Sequence, residues 1–459
     1  MSAHRFDPTI LREYDVRGIV GETLHEADAR ALGRAIGTVA RRQGLRRVAT
    51  AYDGRHSSPA MEAALAEGLM ASGIDVLRVG RGPTPMLYFA AYTLPVDGGV
   101  MVTGSHNPSN YNGFKITLAR QSFYGQQIQD LGALSAAGDL ERGQGGEASQ
   151  DIREAYVARL AQDAVGMKAM KVGWDPGHGA AAEILRALVR QLPGEHHLIN
   201  AEIDGSFPAH HPDPTVEKNL EQLKALVAER KLDLGIAFDG DGDRIGAVDG
   251  QGRVLWGDQL MLLLAKDILR RKPGATIIAD VKASRILFDG IARLGGKPIM
   301  WKTGHSHIKA KLKEEHAAFA GEMSAHLFFA DRYYGYDDAL YAAVRLLMAL
   351  SLSGESLGAF RDSLPPVLNT PEIRFPCAEE RKRPAMAEVV ARLRGQGAQF
   401  VDIDGVRVNT ADGWWLLRAS NTQDVLVARC ESGDDAGLAR LKGTLAETIR
   451  AIGLEVPAF

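Results

Sequence analysis

Two short loops hold residue types whose spacing could do chemistry. The first is Thr103-Gly104-Ser105-His106-Asn107-Pro108, directly after the apolar run Gly99-Val100-Met101-Val102. Gly, Asn and Pro fix a sharp turn at a strand end, so Ser105 sits where a rigid strand delivers a hydroxyl to a cleft. The hydrolase elbow G-x-S-x-G requires glycine on both sides of the serine, but Thr103 and Asn107 stand there. The second loop is Asp239-Gly240-Asp241-Gly242-Asp243-Arg244, fed by Leu234-Gly235-Ile236-Ala237-Phe238. Alternating glycines let the backbone fold tightly enough for three carboxylates to converge. Converging carboxylates repel one another unless a cation sits between them. Hard oxygen donors favour Mg²⁺ or Ca²⁺ over Zn²⁺. An EF-hand needs Gly at its sixth and Glu at its twelfth loop position, where Arg244 and Gly250 stand. A solvated acidic turn is the bland alternative, and the apolar run feeding the loop and the adjacent Arg244 argue against it.

Phosphoryl transfer needs a metal, a nucleophile and fixed cations for the non-transferring oxygens. Candidate cations and donors are Arg17 in Arg12-Glu13-Tyr14-Asp15-Val16-Arg17-Gly18, Lys115 in Asn112-Gly113-Phe114-Lys115, Lys282 at the end of an apolar run, and His305 in Lys302-Thr303-Gly304-His305. Arg418 precedes Ser420, Asn421 and Thr422, a cluster of donors suited to a phosphate dianion. Singly, these also read as a surface Lys, a salt-bridged Arg or a core His. Together, at strand ends or in glycine-containing loops, they look like one site.

The elements that must position them repeat loosely. Three segments read as strand, acidic turn, helix and strand: Val48 to Val79 through Asp53-Gly54-Arg55, Met170 to Ile199 through Asp175-Pro176-Gly177, and Thr276 to Met300 through Asp280. Each is followed by a second polar loop after an apolar strand: Thr103 to Pro108, Asp239 to Arg244, and Gly321-Glu322-Met323-Ser324-Ala325-His326. Three loops at equivalent places predict one composite cleft between three α/β units. A fourth, smaller α+β unit follows Leu364-Pro365-Pro366, a natural hinge. The expected domains are residues 1–150, 151–254, 255–366 and 367–459, in line with a length prior of roughly three or four domains.

Composition excludes several classes. A formal net charge of −3 gives no global field for nucleic acid or an anionic membrane. Met1 to Ile10 lacks a signal-peptide pattern, and the apolar stretch Leu340 to Leu352 is too short to span a bilayer. Cys377 and Cys430 show no metal spacing and read as reduced thiols, so a cytoplasmic location is expected.

T-G-S-H-N-P, D-G-D-G-D-R, G-E-M-S-A-H and R-A-S-N-T, in this order, resemble the α-D-phosphohexomutases across essentially the whole chain, nearest the bacterial phosphomannomutase/phosphoglucomutase branch. The resemblance implies three similar mixed α/β domains and a mobile phosphate-binding fourth domain around a central cleft. It also implies interconversion of mannose and glucose 1- and 6-phosphates through a phosphorylated Ser105 and a hexose 1,6-bisphosphate. Mg²⁺ would be held by Asp239, Asp241, Asp243 and an oxygen on Ser105. Glu322 and Ser324 would read sugar hydroxyls, while Arg418, Ser420, Asn421, Thr422 and Tyr14 would grip the distal phosphate. Lys115, His326 and Arg17 are the implied proton-transfer and charge-stabilising groups, with Arg244, Lys282 and His305 as further contacts. A monomer is implied. Phosphoglucosamine mutase is the nearest rival, and Met323, where that branch usually has Gln, argues against it. A metal-dependent sugar-phosphate phosphatase is the rival of another class. Two departures stand out. Ala325 replaces a usual Gly, and its methyl is expected to push on His326 or the ligand. Gln423-Asp424 follows the phosphate loop, with Asp424 expected to point outward.

Overall fold

The protein was analysed as a computed structural model, which describes residues 3–421 and 423–458. Its first three sheets share one wiring. In the first, Arg47–Tyr52 is flanked in parallel by Asp75–Arg81 and Gly98–Val102, and Tyr111–Leu118 returns antiparallel beside Gly98–Val102. In the second, Met170–Asp175 lies parallel to Gly194–Leu198 and Leu234–Phe238, and Ile245–Asp249 returns antiparallel. The third repeats this with Thr276–Asp280, Lys297–Trp301, Phe319–Gly321 and Leu327–Phe329. Helices cross between the parallel strands, as parallel pairing demands. In the third unit these are Arg285–Arg293 and His305–Glu314. Gly98–Val102 and Leu234–Phe238 are buried along their whole length, which explains why they read as unbroken apolar runs rather than as alternating ones.

This wiring places the polar loops. Each connects the last parallel strand to its antiparallel partner: residues 103–110, 239–244 and 322–326. A strand pair turning back on itself leaves its loop at the carboxyl end of a parallel strand, where open α/β sheets gather ligands. The Gly/Glu/Ser-rich stretch near 144–149 is more ordered than a plain linker, because Glu147–Ser149 pairs with Asp75–Arg81 at the edge of the first sheet.

The fourth unit is antiparallel. Gly413–Ala419 lies between Val406–Thr410 and Val425–Ser432, with helices Glu379–Gly395 and Asp435–Ala451 packed on the sheet. Its core is its own, and holds both free cysteines, Cys377 and Cys430. One continuous apolar cluster runs through the first three units. Among the described residues, the apolar cluster that joins the fourth unit to the third is small: Val281, Trp414 and Leu416. Ala339–Ser353 is a core helix buried on nearly every side. Among the described residues no single helix is long and apolar enough to cross a membrane.

Candidate active site

Ser105 lies at the bottom of the cleft, buried, with φ +49°. A left-handed backbone at a non-glycine residue costs energy and persists only where the surroundings impose it. Here they do. Asp53, at the end of the first parallel strand, accepts the Thr103 hydroxyl at 2.8 Å and the Gly104 N–H at 3.1 Å. Thr103 Oγ1 in turn accepts the Ser105 N–H at 2.8 Å. Arg55, fully buried, donates to the carbonyls of Ser105, Asn107, Pro108 and Tyr111 at 2.5–2.9 Å. The loop is thus gripped from behind by a carboxylate and a guanidinium that the sequence marks only as an acidic turn. Lysine keeps the charge but not the planar fork, so Arg55→Lys is expected to lower kcat about tenfold or more while KM changes little. Steady-state kinetics beside a thermal melt check this, and a purely stability-linked effect would leave kcat of the folded fraction unchanged.

The acidic loop faces the serine. Ser105 Oγ donates to Asp239 Oδ2 at 3.1 Å. Both glycines of the motif are needed. Gly242 has φ +73°, and a Cβ on Gly240 would lie 2.5 Å from the Ser105 carbonyl oxygen. Asp239, Asp241 and Asp243 are buried, with oxygens within 4.8 Å of one another. Lys115 Nζ bonds Asp241 at 2.7 Å and Asp243 at 2.5 Å. Burial opposes its charge, but these two aspartates outweigh that and push the ammonium well above its ordinary range. Asp239 is pushed well above the carboxylate range by burial and by Asp243 and Asp241. Asp241 Oδ1 is buried with no hydrogen-bond partner. A divalent cation would supply the missing partner, and the all-oxygen donor set fits a hard ion.

The third loop supplies the cleft wall. His326 Nδ1 lies 2.9 Å from Glu322 Oε2, and its Nε2 lies 3.1 Å from both Asp243 Oδ1 and Arg244 Nε. Burial would lower the imidazole's pKa. Asp243 and the bond to Glu322 more than offset that and push it up to about 9. Glu322 Oε1 also accepts the Gly304 N–H at 2.6 Å, which ties this wall to the segment carrying His305. Asp280 is the counterpart of Asp53. It ends the first parallel strand of its unit and accepts the Met323 N–H at 3.0 Å and the Thr303 hydroxyl at 3.1 Å. The Met323 thioether packs on Arg429 of the fourth unit, and the lining of the cleft at this loop is Glu322, Ser324 and His326. Ala325 does not line the cleft either. Its departure from glycine is carried by the backbone, at φ +63°, and not by a methyl against the ligand space.

The far end belongs to the fourth unit. Arg418 is buried and donates to Asp404 Oδ2 at 3.1 Å, and Asp404 also accepts the Thr303 N–H at 3.0 Å. Asn421 donates to the Tyr14 hydroxyl, and Tyr14 donates to the Thr303 carbonyl at 2.8 Å, so three units meet here. Lys282 reaches across to Glu372 at 2.8 Å. Thr422 falls outside the described residues. Asp424 points outward, its side chain 73% exposed. Lys382, which the sequence does not mark, is buried beneath the loop that carries Ser420 and Asn421, and donates to the carbonyls of Ser420 at 2.9 Å and Gln423 at 3.0 Å. These two bonds fix the path of that loop, and the ammonium is also paired with Glu379. Lys382→Met is expected to raise KM for a hexose phosphate about tenfold with kcat less affected. Equal KM values in variant and parent would remove Lys382 from the site.

The sequence-derived residues Tyr14, Arg17, Ser105, Lys115, Arg244, Lys282, His305, Glu322, Ser324, His326, Arg418, Ser420 and Asn421 line one cavity, with the three aspartates behind Ser105 and Lys115.

Four family models match in succession. They are the phosphoglucomutase/phosphomannomutase alpha/beta/alpha domains I, II and III, over residues 8–131, 154–252 and 256–367, and the C-terminal domain over residues 372–448. The phosphomannomutase/phosphoglucomutase of Pseudomonas putida is 45% identical over 435 residues, covering 95% of this chain and 94% of its own. A phosphoglucomutase of Neisseria gonorrhoeae is 40% identical, covering 96% and 97%. The crystal structure of a phosphoglucomutase/phosphomannomutase family protein from Burkholderia thailandensis superposes with a TM-score of 0.94 at 41% identity, over 99% of this chain and all of that one. With four domains matched in order, a shared wiring and one cleft fed by all four, the chain belongs to the phosphoglucomutase/phosphomannomutase family.

Proposed function

We infer that this enzyme, a hexose phosphate mutase by its relatives, works through a phosphoryl group carried on Ser105. The observation that carries this reading is the pairing of Ser105 Oγ with Asp239, 3.1 Å apart, at one end of a cleft whose other end presents Arg418. A phosphate-bearing sugar bound at Arg418 directs its free hydroxyl toward Ser105. The hydroxyl oxygen attacks phosphorus and the Ser105 Oγ–P bond breaks; His326, held protonated beside Asp243, is placed to give a proton to the departing Ser105 Oγ and to take up in its stead the one the hydroxyl releases. The product is a hexose 1,6-bisphosphate. After it turns end for end, its other phosphoryl group returns to Ser105 Oγ and releases the isomeric monophosphate. Both ends of the cleft must therefore accept phosphate, and Arg418, Ser420 and Asn421 at one end face Lys115, Arg244 and Arg17 at the other.

Asp239, Asp241 and Asp243, with a phosphoryl oxygen on Ser105, would hold Mg²⁺, which would neutralise charge on the transferring group. Lys115, held protonated between Asp241 and Asp243, acts as an electrostatic stabiliser. Glu322 and Ser324 would read sugar hydroxyls. The separate core of the fourth domain favours its movement over the turning intermediate, as lids move elsewhere.

The test is product analysis. Glucose 1-phosphate or mannose 1-phosphate with Mg²⁺ and a trace of glucose 1,6-bisphosphate is expected to give the 6-phosphate. Release mostly of free phosphate would make the enzyme a phosphatase and sink the reading. Comparing kcat/KM for glucose, mannose and glucosamine 1-phosphates sets the preferred sugar.

A further inference from the structure

A second cavity, of about 860 Å³, opens between the first and third domains. Its size is that of sites for small organic ligands, which favour domain interfaces. Five of the chain's eleven tyrosines line it: Tyr88, Tyr92, Tyr124, Tyr334 and Tyr336. Tyr334 and Tyr336 lie nearly parallel, 7° apart with centroids at 5.7 Å, and Tyr92 tilts against both at 5.5 Å. Tyr88 and Tyr336 are buried, and the half-buried Tyr92, Tyr124 and Tyr334 offer ring faces for stacking.

The charge around these rings is positive. Arg120, Lys309 and Lys313 line the cavity. Its one acid, Glu314, is bonded to Lys311. The Arg120 guanidinium lies 5.5 Å from the Tyr92 centroid and Lys309 Nζ lies 4.4 Å from that of Tyr88. Rings with cations beside them suit a ligand that is both flat and anionic.

The floor of this cavity touches the catalytic cleft. Lys309 bonds Asp337 Oδ1 at 2.9 Å. Asp337 Oδ2 is buried without a hydrogen-bond partner, 3.9 Å from His305 Nδ1, which is buried and unpartnered too. His305 lines the cleft that holds Ser105. Two unsatisfied buried groups facing each other are costly and call for a reason. An anion on Lys309 would compete with Asp337 and leave that carboxylate free to turn to His305.

We propose that this groove binds a ligand joining a flat aromatic ring to a phosphate, as in a nucleoside monophosphate, and that its occupancy reaches the catalytic cleft through Lys309 and Asp337. The second clause rests on the mutase reading, and the first does not.

Titration calorimetry of the full chain with adenosine 5′-monophosphate tests it, in an equilibrated mixture of glucose 1- and 6-phosphates that fills the catalytic cleft. Saturable binding is expected, with adenosine and ribose 5-phosphate weaker by about tenfold or more, since each lacks half of the recognised chemistry. Arg120→Glu and Lys313→Glu, both at exposed positions, are expected to weaken binding by a similar factor and to leave mutase kinetics without the nucleotide unchanged. The nucleotide is expected to change KM for glucose 1-phosphate in the parent and not in Lys313→Glu. Binding abolished by the sugar phosphates, binding unaltered in both charge-reversal variants, or no binding up to about 10 mM overturns the site. Binding with KM and kcat unchanged overturns the link to the cleft. A chain that binds the nucleotide but makes no 6-phosphate would separate failure of the mutase reading from failure of this one.

Discussion

Ser105→Ala is expected to fold and melt like the parent and to lose turnover by several orders of magnitude. The two effects separate because the side chain's Cβ, and with it the strained φ of +49°, is retained, while the oxygen that would carry the phosphoryl group is removed. The loop is held by Asp53 and Arg55 through Thr103, Gly104 and backbone carbonyls, and none of these contacts involves Ser105 Oγ. Mass spectrometry after incubation with glucose 1,6-bisphosphate gives the second readout. The parent is expected to gain one phosphoryl group on the peptide containing Ser105, and the variant none. His106 Nδ1, 3.2 Å from Ser105 Oγ, is the neighbouring nucleophile. Phosphorylation of His106 in the variant, or near-parental turnover, would show that Ser105 is not the carrier.

The residues that touch the cleft were legible because their types are unusual in their places: a serine among turn formers after a buried strand, three acids alternating with glycines, a cation beside a run of small donors. The repeat was legible from apolar runs and turn residues, and the shared wiring explains why the three loops fall at equivalent points. What brings the loops to one geometry was not legible. Asp53, Arg55, Asp280 and Lys382 act on backbone groups of loops about 40 to 55 residues away in sequence, and backbone groups leave no residue-type signature at the receiving end. A signal did exist. In the first and third units the strand-ending aspartate accepts the N–H of the second residue of its loop, Gly104 or Met323, so an Asp recurring at one point of a structural repeat hints at a brace. The directions taken by Ala325 and Met323 were not legible for a related reason. Sequence neighbours of Glu322 and Ser324 need not share their direction, and here a tight turn sends Met323 toward the fourth domain and buries Ala325 away from the cleft.

Asp239→Asn is expected to abolish activity to the same degree as removal of Mg²⁺ by EDTA, without destabilising the metal-free protein. Among the described residues, the ion pairs made by the acidic cluster reach two of its three carboxylates. Lys115 bonds Asp241 and Asp243, whereas among the described residues no ion pair reaches Asp239. Burial and the two neighbouring carboxylates therefore raise the pKa of Asp239, and its ionised form is disfavoured until a cation arrives. Asparagine keeps the acceptor for the Asp243 and Arg244 N–H groups at 3.0 and 3.1 Å and a polar atom toward Ser105, while removing the charge that costs most. The metal-free variant should thus melt at or above the parent's temperature. The parent is expected to gain stability on adding Mg²⁺, because a ligand that binds only the folded state shifts the equilibrium toward it, and the variant is expected to lose most of that gain. Opposite signs on one substitution, no loss of metal-free stability but no metal response, distinguish a cation site from a structural acidic turn. A variant that keeps the parent's Mg²⁺-dependent shift, or a parent that turns over fully in EDTA, would remove the metal from the aspartate triad.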